Sequence, residues 1–176
     1  MERRSFTGCG TALVTPFRRD GSLDEAGVSR LARRQIDAGI HFLVPCGTTG
    51  ESPTLSEDER VRVVELVVEQ AHGRVPVLAG AGGYDTQDVI HTAKRMRRAG
   101  ADGILSVTPY YNKPTQEGLA AHFETVANAS GLPVMLYDIP GRAGTKIAEE
   151  TYHRVAGHER VVAVKQVRMH TDLGED

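Results

Sequence analysis

Gly103-Ile104-Leu105-Ser106-Val107-Thr108, an amphipathic stretch over residues 115–129, and Val134-Met135-Leu136-Tyr137-Asp138-Ile139 form the segment that sets the fold class. Two short apolar, β-branched runs flank a stretch whose apolar residues Leu119, Phe123, Val126 and Ala127 share one helical face. A strand, a crossover helix and a second strand make a βαβ unit, whose strands lie parallel and buried on both faces. Working outward, similar runs begin at residues 9, 41, 75 and 161, giving successive spacings of 32, 34, 28, 31 and 27 residues. The predicted strands are 9–15, 41–46, 75–79, 103–108, 134–139 and 161–166.

The intervening segments read as helices with legible ends. Ser22 and Ser56, each followed three residues later by Glu25 and Glu59, have capping-box spacing, and Gly39, Gly73, Gly100, Gly131 and Gly157 mark the helix ends. A strand–helix unit repeated six times fits two architectures. One is an open doubly wound sheet; the other is a (β/α)8 barrel, which needs eight units and about 250 residues. Periodicity leaves the choice open.

Composition narrows the function classes. With 176 residues the chain has room for one domain, and 21 Lys+Arg against 23 Asp+Glu leave a net charge of −2. Nucleic-acid binding is not expected, because neutralising phosphates takes clustered positive charge. Arg33-Arg34 and Arg97-Arg98 read as solvated helix surface. Cys9 and Cys46 cannot make a disulfide framework, the first ten residues hold no apolar run, and no stretch of about 18 apolar residues exists. A cytoplasmic protein with no membrane span is expected.

Sites of parallel α/β folds gather at the carboxyl ends of strands. After the second predicted strand, Gly47-Thr48-Thr49-Gly50-Glu51-Ser52 makes a tight turn with free backbone N–H groups, suited to a small anion such as a carboxylate. Taken alone, it reads first as a plain strand-to-helix turn. Tyr110 and Tyr111 follow the fourth strand, as a packing cap or as proton-relaying phenols. The fifth ends in Tyr137 and leads to Arg142, a solvated loop charge or a carboxylate holder. The sixth, Val161-Val162-Ala163-Val164-Lys165-Gln166-Val167, ends with a lone lysine. Burial disfavours its charged form and would make Lys165 a Schiff-base nucleophile; the alternative is an amine reaching out to water at the strand tip. The seven histidines make no paired-ligand spacing at a strand end, so no metal is expected. Gly80-Ala81-Gly82-Gly83 does not complete a dinucleotide-binding motif, because Thr86 stands where the last glycine belongs.

The Gly47-Thr48-Thr49-Gly50-Glu51 turn, Thr108-Pro109-Tyr110-Tyr111, Tyr137-Asp138-Ile139-Pro140-Gly141-Arg142 and Val164-Lys165 occur in order and at matching spacings. Together they resemble the pyruvate-dependent class I (Schiff-base) aldolase/lyase family, over residues 8–165. The resemblance implies a (β/α)8 TIM barrel, here truncated after about six units, so residues 1–176 are expected to be a single incomplete domain. It implies that Lys165 forms an imine with pyruvate and that Tyr137 is the acid/base beside it. Thr48 would link Tyr137 to Tyr111 in a relay, and the turn at Gly47, Thr48 and Thr49 would hold the pyruvate carboxylate. Arg142 would bind the carboxylate of L-aspartate 4-semialdehyde, as in the branch serving lysine and diaminopimelate biosynthesis. Sugar-acid lyases of the family share Lys165, Tyr137 and the turn, and Gly141-Arg142 after Pro140 favours the semialdehyde branch. No cofactor is implied, and a homo-oligomer, dimer or tetramer, is.

The chain also departs from the family pattern. Asp138 stands where many members have Asn, and Gln166-Val167-Arg168-Met169-His170-Thr171-Asp172 replaces the usual acidic residue and small-residue segment after the lysine. Of the positions matching an allosteric lysine site, Ser52, Asp88 and Tyr110 are compatible, which implies weak or absent lysine feedback. The two missing units imply unpaired strand edges and a poorly active isolated chain, or a non-catalytic remnant.

Overall fold

The computed structural model describes residues 6–167. Six strands occur in chain order: β1 (Gly10–Ala12), β2 (Phe42–Val44), β3 (Leu78–Gly80), β4 (Gly103–Val107), β5 (Val134–Asp138) and β6 (Val161–Gln166). Between them lie α1 (Glu25–Asp37), α2 (Glu57–Ala71), α3 (Thr86–Arg98), α4 (Gln116–Ser130), the short α5 (Pro140–Ala143) and α6 (Glu149–Ala156). Every predicted strand and helix is present, with ends shifted by a few residues. The third strand moves most, from the expected 75–79 to Leu78–Gly80.

The strand order settles what periodicity left open. β1 pairs with β2, and β3 through β6 pair consecutively, all parallel. A Leu43–Val77 bridge and the Gly80 N–H donated to the Pro45 carbonyl join the two groups. The order is therefore 1-2-3-4-5-6, with no reversal of the kind a doubly wound sheet requires. All the long helices lie on one side. Leu43, Val77, Ala79, Ile104 and Leu136 point outward into one core with Val28, Ala32, Val64, Val67, Ala93, Met96, Leu119 and Phe123 of the helices. The alternating positions Phe42, Val44, Leu78, Leu105, Met135 and Tyr137 pack together on the inner side. This is the wall of a (β/α)8 barrel, carrying six of its units.

Two local expectations are corrected. Ser22 does not cap α1; Asp24 does, accepting the Gly27 N–H, whereas Ser56 and Glu59 form the complete capping box of α2. Ser22 instead donates to Asp20, which draws it away from the helix end. Nor is every strand buried on both faces. β2, β3 and β5 are, but β6 alternates, with Val162 and Val164 43% and 44% exposed. The helix before β6, α6, packs mainly on α4, so the outer face of β6 has little cover among the described residues. Arg33, Arg34, Arg97 and Arg98 are exposed, as solvated helix charges should be. No described helix is long and apolar enough to cross a membrane.

Candidate active site

The carboxyl ends of β2, β4 and β5 surround a cavity of about 280 Å³. Cys46, Gly47, Thr48, Leu105, Val107, Tyr137, Ile139 and Arg142 line it, so four of the predicted site residues, Gly47, Thr48, Tyr137 and Arg142, face a common space. Local chemistry explains the placement. Gly50 N–H bonds to the Gly47 carbonyl and Glu51 N–H to Thr48, closing two overlapping turns. The buried Thr15 hydroxyl pins the Gly50 carbonyl at 2.7 Å. The Thr48 and Thr49 amides have no acceptor among the described residues and remain available to an anion. Pro140 begins α5, where a missing N–H costs nothing, and the helix carries Arg142 to the cavity rim with no acidic partner among the described residues.

Tyr137 is 5% exposed, and its backbone carbonyl receives both the N–H and the hydroxyl of Thr108. Its direct partner on β6 is Lys165. The Lys165 ammonium stands 4.3 Å from the Tyr137 ring centroid, a cation–π contact that draws the amine to the inner face of the wall. The side chain is half-buried, between the sealed and the fully solvated alternatives. Lys165 and Thr49 do not line the cavity itself. Tyr111 is 88% exposed with backbone φ +68°, its ring tilted against Tyr84 at 6.4 Å. Among the described residues no hydrogen bond joins Thr48, Tyr137 and Tyr111.

Sequence reasoning missed several contributors. Gly80 was read only as part of a failed dinucleotide motif. A Cβ there would sit 1.9 Å from the Cys46 carbonyl oxygen, so glycine is what lets the Gly47 turn lie across β3. Cys46 itself adopts φ +56° and is sealed, and burial pushes its thiol up to about 12, which leaves it unreactive. Asp138, noted only as a departure, is 1% exposed and collects three donors: the Tyr152 hydroxyl at 2.7 Å, the Ile147 N–H at 3.4 Å and the Gln166 amide at 3.5 Å. Its signal in the sequence is an acidic residue inside an apolar strand, which must find partners. A second cavity of about 630 Å³ shares Ser52, Arg60, Gly82 and Tyr110 with the first and extends to Tyr84, Asp88 and His91. Ser52, Asp88 and Tyr110, matched above to an allosteric site, all line it. Among the described residues no three His, Cys, Asp or Glu side chains cluster as metal ligands. His170 lies outside the described residues.

The wall is that of a (β/α)8 barrel, with a lysine and a tyrosine side by side at neighbouring strand ends. The chain belongs to the dihydrodipicolinate synthetase family, whose model matches residues 5–174. It is 51% identical over 165 residues to a protein of Gluconacetobacter diazotrophicus and 55% identical over 158 residues to one of Acidothermus cellulolyticus, both named 4-hydroxy-tetrahydrodipicolinate synthase. These alignments cover 94% and 90% of this chain but 56% and 51% of the relatives, so the chain spans about half their length. Among solved structures, it superimposes on dihydrodipicolinate synthase of Aquifex aeolicus with a TM-score of 0.88 at 43% identity, covering 91% of this chain and 55% of that one. A chloride-inhibited Acinetobacter baumannii enzyme complexed with pyruvate gives 0.90 at 40% identity, covering 92% and 56%.

Proposed function

We propose that the protein serves the condensation of pyruvate with L-aspartate 4-semialdehyde, giving 4-hydroxy-tetrahydrodipicolinate, through an imine on Lys165. The observation that carries this reading is the Lys165 amine over the Tyr137 ring at the carboxyl ends of neighbouring strands, beside a cavity that ends in free turn amides. The neutral amine attacks the ketone carbon of pyruvate and water leaves, while the Thr48 and Thr49 amides hold the carboxylate. The protonated imine is an electron sink, so a methyl proton is lost to give an enamine. The enamine carbon bonds to the aldehyde carbon, and the semialdehyde's amine then displaces Lys165 and closes the ring. Tyr137 carries the protons of these steps, with Thr48 as its link toward Tyr111. Arg142 faces the carboxylate of the aldehyde partner. Tyr111 is 88% exposed and does not line the cavity, and this supports a homo-oligomer, a dimer or tetramer, in which it completes a second copy's relay. A single barrel domain in the cytoplasm belongs to the same reading.

Borohydride reduction in the presence of pyruvate, followed by peptide mass mapping, tests it. An adduct on Lys165 is expected; an adduct elsewhere, or none, refutes it. Offering aspartate semialdehyde and then sugar-derived aldehydes to the pyruvate-loaded protein separates the synthase reading from that of a sugar-acid lyase.

A further inference from the structure

The β5–β6 register contains one residue too many on β6. Val134 pairs with Val161, but the next residue, Met135, pairs with Ala163, and Tyr137 then pairs with Lys165. Val162 is a β-bulge. Residues paired across parallel strands point to the same face, so the bulge inverts β6 relative to its start. Val161 packs with the outer, helix-side core, whereas Ala163 packs with the inner one. If the bulge slid out, Lys165 would stand opposite Asp138, on the outer face, and Val164 would stand opposite Tyr137.

Among the described residues, apolar burial does not explain why the bulged register holds. There it leaves Val162 and Val164 43% and 44% exposed, and the slipped register would turn them to the inner face. Polar contacts at the far end of the strands favour the observed alignment. The Asp138 carbonyl accepts the Val167 N–H at 2.9 Å, and its carboxylate accepts the Gln166 side chain and, more closely, the Tyr152 hydroxyl from α6. A one-residue slip carries Gln166 and Val167 past Asp138 and breaks both β6 contacts.

We propose that Asp138, anchored by Tyr152, is a positioning residue that locks β6 in its bulged register and thereby aims Lys165 at Tyr137. The lock rests on the imine reading for its purpose, not for its existence. Two measurements on the intact protein keep these apart. One is the rate of Lys165 acetylation by an N-hydroxysuccinimide ester relative to exposed Lys94, read by peptide mass. The other is the yield of the borohydride-reduced pyruvate adduct. Asp138→Ala should raise relative Lys165 acetylation several-fold and lower the adduct about tenfold, while Asp138→Asn, which keeps an acceptor for Tyr152, stays near the parent. Deleting Val162 in the Asp138→Ala background should restore both, because regular pairing then sets Lys165 opposite Tyr137 without a lock. Tyr152→Phe should shift both in the same direction by less, and it serves if Asp138→Ala does not fold. Unchanged acetylation in a folded Asp138→Ala or Tyr152→Phe protein, or no restoration on deleting Val162, overturns the lock. A parent that takes no pyruvate defeats the imine reading alone, since acetylation still decides the lock.

Discussion

Lys165 and Tyr137 are direct partners across two neighbouring parallel strands, with the ammonium 4.3 Å from the centre of the phenol ring. Placed together on the inner face, the amine and the phenol can divide nucleophile and proton carrier between them. Tyr137→Phe should therefore lower kcat about 10²- to 10⁴-fold, the usual worth of a positioned acid–base group. The ring that holds the amine remains, so the pyruvate adduct should still form on Lys165. Lys165→Arg should abolish adduct and turnover together. Loss of the adduct in Tyr137→Phe would contradict this division of labour.

Arg142 stands at the cavity rim without an acidic partner among the described residues. Arg142→Ala should raise KM for the aldehyde substrate about 10- to 100-fold, the worth of a hydrogen bond to a charged group. Pyruvate trapping should be unchanged. Steady-state kinetics with each substrate varied in turn separates the two effects, and a pyruvate defect alone would assign Arg142 elsewhere.

Gly80 has backbone, not a pliable side chain, within van der Waals reach. Gly80→Ala is expected to cost about 1–3 kcal/mol, as overpacking of an ordered core does. It should also push back the turn that carries the Thr48 and Thr49 amides. Urea unfolding gives the first quantity and the affinity for pyruvate the second; a neutral result in both would show that β2 and β3 can part without loss.

His122 is the buried histidine of α4, bonded through Nδ1 to the Thr86 hydroxyl at 2.9 Å, with no partner for Nε2 among the described residues. Burial lowers its pKa from 6.5 to about 4. The unfolded chain therefore binds the proton more readily, and folding favours the neutral ring. That contribution is whole above pH 6.5 and fades as the pH falls toward 4, by up to about 3 kcal/mol. His122→Gln should flatten stability across this window. An unaltered pH slope in denaturant titrations would place the proton uptake elsewhere.

Much of this was legible in the chain. The spacing of β-branched runs located all six strands, because parallel strands with helices over their outer face need continuous apolar character. Ser56 with Glu59 announced the start of α2, since a capping box is local chemistry. Ser22 offered the same spacing and failed, because Asp20 competes for its hydroxyl and Asp24 is closer to the helix. Residue type at strand ends marked Lys165, Tyr137, the Gly47 turn and Arg142 as candidates, while the roles proposed for them came from the resemblance of the motifs. The parts played by Gly80 and Asp138 were not, since both depend on which distant backbone or side chain arrives beside them.

The sequence by itself therefore determined the elements, their caps and which residues have the chemistry to act, all set by forces that reach only a few residues along the chain. The tertiary structure displays the unreversed strand order that periodicity left open and the motif resemblance implied, and it alone decided the gathering of four motif residues on one cavity and the face on which Lys165 emerges. A single unpaired residue, Val162, separates an inward amine from an outward one. Alternation along β6 reads the same in either register, so only pairing with β5 could settle it.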